Sequence, residues 1–187
     1  MLKLISPKRA SKIIARYGEW IDEVSGRYGV PAAAIKAILH QEMVQIDLMD
    51  PLADLAASIG IMGKKDSSTG HAQIFGHVGL NAVNYAVDHG LASYESLGIA
   101  TDHRLDADDP KDVRLIWRKL RHDPKANIEI AALNLLVAAD EMVGHTDFST
   151  MSDDELKLVF TRYNANVKHV TPYGERVFGR YEAFLAQ

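Results

Sequence analysis

Glu42 sits where an apolar side chain is due. Ile35, Ile38, Leu39, position 42 and Ile46 follow the i, i+3, i+4, i+7 spacing that lines one face of a helix. A carboxyl group moved into apolar surroundings resists ionisation, so its pKa climbs and it holds a proton near neutral pH. Such a group is a proton donor, the general acid that cleavage of a glycosidic bond requires. Two ordinary arrangements compete with that use: a buried Arg or His paired with the glutamate, or a helix that ends before position 42 and leaves the side chain in solvent.

Metal chemistry is the other possibility these residues offer. His40, Glu42, His71 and His77 carry nitrogen and oxygen ligands that zinc accepts. His40-x-Glu42 has the spacing seen in zinc deaminases, but those also need downstream cysteine ligands and the chain has no cysteine. There is no His-Glu-x-x-His either. The absence of cysteine excludes disulfides, thiol catalysis and thiolate zinc sites together. Neither a metal nor a cofactor is expected.

These residues need a scaffold. A chain of 187 residues, 47% hydrophobic and 25% charged, is enough for one globular domain with its own core. Ser6-Pro7 opens a helix expected to reach about Arg27, where Gly29 breaks it. Pro31 suits the first helical position of the next helix, which carries Glu42. Residues 50 to 58 read as a short helix capped by Asp50, and residues 59 to 79 as an irregular surface loop.

A helix from about Leu80 to His89 follows, then a turn-rich stretch holding "DADDP" and a helix from about Lys111 to Arg121. Pro124 starts the most apolar helix, whose alanines at 131, 132, 138 and 139 suit a central buried position. Ser152 and Glu155 form a capping box for a helix to about Tyr163, and the last helix runs from about Thr171 to Leu185. Strand signals are almost absent, so the expected class is all-α with about eight helices. Residues 1–27 would form an N-terminal helix packed on the core, and residues 28–187 the catalytic domain.

The 21 basic and 25 acidic residues balance to −4, which offers nucleic acid no global attraction. Lys3, Lys8, Arg9, Lys12 and Arg16 nevertheless precede every acid, a cluster that most often marks a solvated helix face and otherwise a contact with a membrane surface or an anionic polymer. "AALNLLVAA" at 131 to 139 is too short to span a bilayer, and the N-terminus shows no signal-peptide run. Action outside the cytoplasm would therefore need a leaderless route or a leader absent from this chain.

Four elements in order resemble the lysozyme-like superfamily, in particular the lytic transglycosylases and goose-type lysozymes. They are Glu42 at a helix end, Gly70-His71-Ala72-Gln73-Ile74, Asn127-Ile128 opening the apolar helix, and Tyr163-Asn164 after a late helix. The resemblance spans roughly residues 28 to 182. It implies a single lysozyme-like domain with a catalytic groove that cleaves peptidoglycan between N-acetylmuramic acid and N-acetylglucosamine. Glu42 would protonate the leaving oxygen. Gln73, Ile74 and the backbone near Gly70 would line the sugar groove, and Tyr163 with Asn164 would border the cleaved bond from the opposite wall.

The chain departs from the family pattern in places. Met43 stands where transglycosylases usually have Ser, His71-Ala72 where Leu-Met is common, and Ala131 where Gly is frequent. The family supports two outcomes. A transglycosylase needs one carboxyl, because the sugar's own 6-hydroxyl captures the cationic centre. A hydrolase usually uses a second, for which Asp66 is the candidate, with Asp47, Asp50 and Asp54 more easily read as caps or solvated groups.

The implied partner is the peptidoglycan glycan strand, acted on in the periplasm, in the cell wall or after secretion. A bacteriolytic toxin of this kind could be matched by an immunity or inhibitor protein. A monomer that binds no nucleic acid is expected. A non-catalytic glycan- or protein-binding module on the same fold is the alternative.

Overall fold

The computed structural model describes residues 5–45 and 68–187. The short helix expected at 50 to 58, and Asp47, Asp50, Asp54, Lys64, Lys65 and Asp66, lie outside the described residues. The protein is all-α. Among the described residues there are eight α-helices: α1 (Pro7–Arg16), α2 (Gly18–Tyr28), α3 (Ala32–Gln45), α4 (Gly76–Asp88), α5 (Pro110–His122), α6 (Pro124–Val143), α7 (Asp153–Asn164) and α8 (Pro172–Leu185). A two-stranded antiparallel hairpin, β1 (Ser68–Thr69) and β2 (Ile74–Phe75), precedes α4, with Ser68 opposite Phe75 and Thr69 opposite Ile74.

Four of the helices begin by the same local device. Ser6, Asp109, Asp123 and Thr171 each accept a backbone N–H of the first turn, and each is followed by a proline that needs no partner there. A cap of this kind contributes about 1 kcal/mol. Helix α7 starts instead with the full Ser152–Glu155 capping box. These starts fall within a residue or two of their expected places, because cap and proline signals are local in the chain.

Three expectations are corrected. The helix read as continuous to Arg27 is two helices, since Tyr17 leaves helical geometry at φ −96° and ψ 6° and α2 restarts at Gly18. Gly29 then ends α2 in the left-handed region at φ 71°. The stretch 68 to 75 is not an irregular surface loop, because it forms the hairpin and buries Thr69, Ala72 and Ile74. Helix α4 starts at Gly76 rather than Leu80, and Gly79 lies against Ile116, Leu120 and Ile130 from α5 and α6.

Two helices form the centre. From Ala33 to Val44 every residue of α3 except Lys36 is buried, and α6 is buried from Ala126 to Leu136. Helix α3 packs on α8, α1 and α2, while α6 packs on α4, α7, α2 and α5. Ala10 and Ile14 of α1 and Ile21 and Val24 of α2 join the same core. Fully burying an Ile or Leu contributes roughly 1.5–3 kcal/mol, so a helix sheathed this way is held from all sides and can carry a buried acid. Among the described residues no helix is long and apolar enough to cross a membrane.

Candidate functional site

Glu42 lies on the last turn and a half of α3, only 9% exposed, beside the fully buried Ile38, Leu39 and Met43. The helix therefore does not release it to solvent. Its one described hydrogen bond comes from Tyr173, whose hydroxyl donates to Oε1 at 2.5 Å. Among the described residues no basic group forms an ion pair with it. Burial pushes its pKa from the ordinary 4.5 up to about 7, with the Tyr173 hydrogen bond pulling the other way. The carboxyl is thus a proton donor poised near neutrality, the condition for general acid work.

Tyr173 is held there by a close approach of two helices. A Cβ on Gly174 would come within 2.1 Å of Thr161 Oγ1 and 2.6 Å of the Lys157 carbonyl, so only glycine lets α8 lie this near α7. The buried Thr161 accepts the Thr171 backbone N–H at 3.1 Å and fixes the start of α8. Burial and the neighbouring Glu42 charge hold the Tyr173 hydroxyl well above its ordinary pKa, so it remains a donor.

The hairpin turn supplies the second wall. Asn127, at the head of α6, accepts the Ala72 N–H at 2.9 Å and donates to the Thr69 carbonyl at 3.4 Å. Tyr163 donates to the Ala72 carbonyl at 3.1 Å. Gly70 has φ 72°, and a Cβ there would sit 2.2 Å from Asn127 Nδ2, so the clamp requires glycine. Gln73 also has positive φ, 47°, and its Nε2 donates to the Gly70 carbonyl at 2.8 Å. Gly70 shapes the turn without lining the cavity beside it, whereas Gln73 and Ile74 do line it.

That cavity has a volume of about 400 Å3. Glu42, Gln73, Ile74, Tyr163 and Asn164 all lie in its wall, so the structure brings together every described candidate except Gly70. Five side-chain amides, Gln73, Asn81, Asn134, Asn164 and Asn166, share the wall, where each offers both a donor and an acceptor to a neutral hydroxylated ligand. Glu42 is the one carboxylate among the described lining residues. Asp66, the proposed second carboxylate, is not among the described residues.

Sequence reasoning did not find Tyr173, Asn134 or Asn81. Tyr173 stands 131 residues from Glu42 and reads as one more aromatic of the closing helix. The available signal was Pro172 and Gly174 on either side of it, a helix start followed at once by a site of close approach. The proposed metal ligands do not converge: among the described residues no group of three or more His, Cys, Asp or Glu is placed to hold an ion. His40 instead packs edge-on against Phe184, and His71 against Tyr17. No protein family, curated protein or solved structure matches this chain.

Proposed function

We propose that this protein is a peptidoglycan-cleaving glycosidase of lysozyme-like fold, with Glu42 as the general acid for the β-1,4 bond between N-acetylmuramic acid and N-acetylglucosamine. The observation that carries the reading is a buried carboxyl, without an ion-pair partner among the described residues and with its pKa near 7, that opens into a cavity walled by amides and Tyr163. The bond breaks as Glu42 passes its proton to the leaving oxygen, and the cationic sugar carbon is then captured either by that sugar's 6-hydroxyl or by water, whose proton returns to the Glu42 carboxylate. Tyr173 orients the carboxyl, and Gln73 and Asn164 hold the sugars beside it. On this reading the protein acts outside the cytoplasm, on the strands of the wall.

The test is mass spectrometry of muropeptides released from purified sacculi. The wild type should release fragments, with anhydro ends if it is a transglycosylase and reducing ends if it is a hydrolase. Glu42→Gln keeps the shape and removes the donatable proton, so its release should be slower by on the order of a thousandfold. Release by that variant at the wild-type rate overturns the mechanism, and binding of sacculi without release by the wild type makes the protein a glycan-binding module instead.

A further inference from the structure

Helix α6 carries three buried polar side chains, and two of them are committed to other parts of the chain. Asn127 clamps the hairpin turn, and Glu129 takes Arg27 and the Tyr28 hydroxyl. The third is Asn134, 5% exposed and in the wall of the Glu42 cavity. Among the described residues no group hydrogen-bonds its amide. Native proteins seldom leave a buried amide this way, because the great majority of such groups meet a protein partner or an ordered water.

The aim of the side chain follows from the helix. Asn127 and Asn134 are seven residues apart, about two turns, so they lie on one face of α6 roughly 10 Å from each other. One end of that face fixes the turn that walls the cavity, and the other end meets the cavity itself. Helix α6 also touches α3, which carries Glu42. The remaining amides of the wall are placed differently: Asn81, Asn164 and Asn166 are exposed, and Gln73 donates to the Gly70 carbonyl. Asn134 is the amide that burial holds still while its polar atoms stay uncommitted among the described residues. A water suits it, donating to Oδ1 and accepting from Nδ2, and a polar cavity of about 400 Å3 has room for one.

We propose, resting on the glycosidase reading above, that Asn134 holds the water that captures the cleaved sugar, which makes the protein a hydrolase. Glu42 gives its proton to the leaving oxygen, and that oxygen keeps the electron pair of the broken bond. The water oxygen then bonds to the anomeric carbon. One water hydrogen passes to the Glu42 carboxylate and restores the acid, while the other stays on the new hydroxyl, held by Asn134 Oδ1. Asn134 neither gains nor loses a proton. It places the water, a task for which hydrolases usually employ a second carboxylate.

Digestion of sacculi in water enriched in the heavy oxygen isotope, read by mass spectrometry, tests this, since a hydrolytic end gains one oxygen from the solvent and an anhydro end gains none. The wild type should release labelled reducing ends. Asn134→Leu, similar in size and unable to hold the water, should release them at least about tenfold more slowly with KM little changed, as loss of one well-placed hydrogen bond requires. Asn134→Ser keeps a hydroxyl and leaves room for a second water, so its rate should fall between the two. In urea Asn134→Leu should be at least as stable as the wild type, because it removes a buried amide that no described group satisfies. A less stable Leu variant would show that the amide ties the helices together and overturns the assignment, as would labelled ends released by that variant at the wild-type rate. Anhydro ends alone from the wild type overturn it and leave the glycosidase reading intact. A wild type that releases nothing from sacculi removes both.

Discussion

Two glutamates on the two central helices show what decides the fate of a buried acid. Glu129 of α6 is 6% exposed and Glu42 of α3 is 9% exposed, so their burial hardly differs. Glu129 Oε1 takes Arg27 Nη1 at 2.6 Å and the Tyr28 hydroxyl at 2.7 Å, which ties α2 to α6 by a charge pair. Among the described residues Glu42 has only the hydroxyl of Tyr173. A tyrosine donor is common to both sites, and the counter-charge is the difference. With it the acid is a structural tie; without it the acid keeps a proton that can be given away.

The comparison can be broken at several points. The largest effect should follow Glu42→Gln, which removes the proton donor and should slow release of muropeptides by on the order of a thousandfold. The same substitution should make the protein more stable in mild alkali. Folding raises the Glu42 pKa from 4.5 to about 7, so the neutral form is favoured, and stability is lost as pH rises through that window. Urea denaturation of the variant and the wild type should agree at pH 4 and differ by about 3 kcal/mol at pH 8 in favour of the variant. Equal stabilities at pH 8 would mean that Glu42 is solvated.

At the other glutamate the sign reverses. Arg27→Ala strands Glu129 without its cation, and since Arg27 is partly exposed the cost should be about 2 kcal/mol, measured by the same denaturation at pH 7. The pH profile of lysis should not move. The smallest effect belongs to Tyr173→Phe, which should cost about 1 kcal/mol and, by removing the bond that lowers the Glu42 pKa, carry the alkaline limb of activity to higher pH. A limb moved to lower pH would show that Tyr173 does not serve the ionised carboxylate.

The sequence allowed these two acids to be treated very differently. Glu42 was legible because it interrupts an apolar stripe, and a helix face is written within one stretch of chain. Glu129 drew no notice, since its neutralisation depends on Arg27, 102 residues away. The helix starts were legible for the same local reason, through Ser, Asp or Thr followed by proline. The break at Tyr17 was not, because the periodicity of α1 runs on into α2 with little offset. Strands two residues long leave no alternation to detect, so the hairpin was hidden. Of the site, Gln73, Tyr163 and Asn164 came from a resemblance of ordered motifs, while Tyr173 needed the packing of α8 against α7.

The ties that make the site reach far along the chain: 55 residues from Ala72 to Asn127, 91 from Tyr163 to Ala72, and 131 from Tyr173 to Glu42. Closing such spans is slow compared with winding a helix, and each contact earns its return only after the ends have met. A chain that has formed its helices but not yet docked the last of them would carry Glu42 as an ordinary acid, ionised and unable to donate. Docking α8 on α3 would then also be the step that leaves this carboxyl its proton.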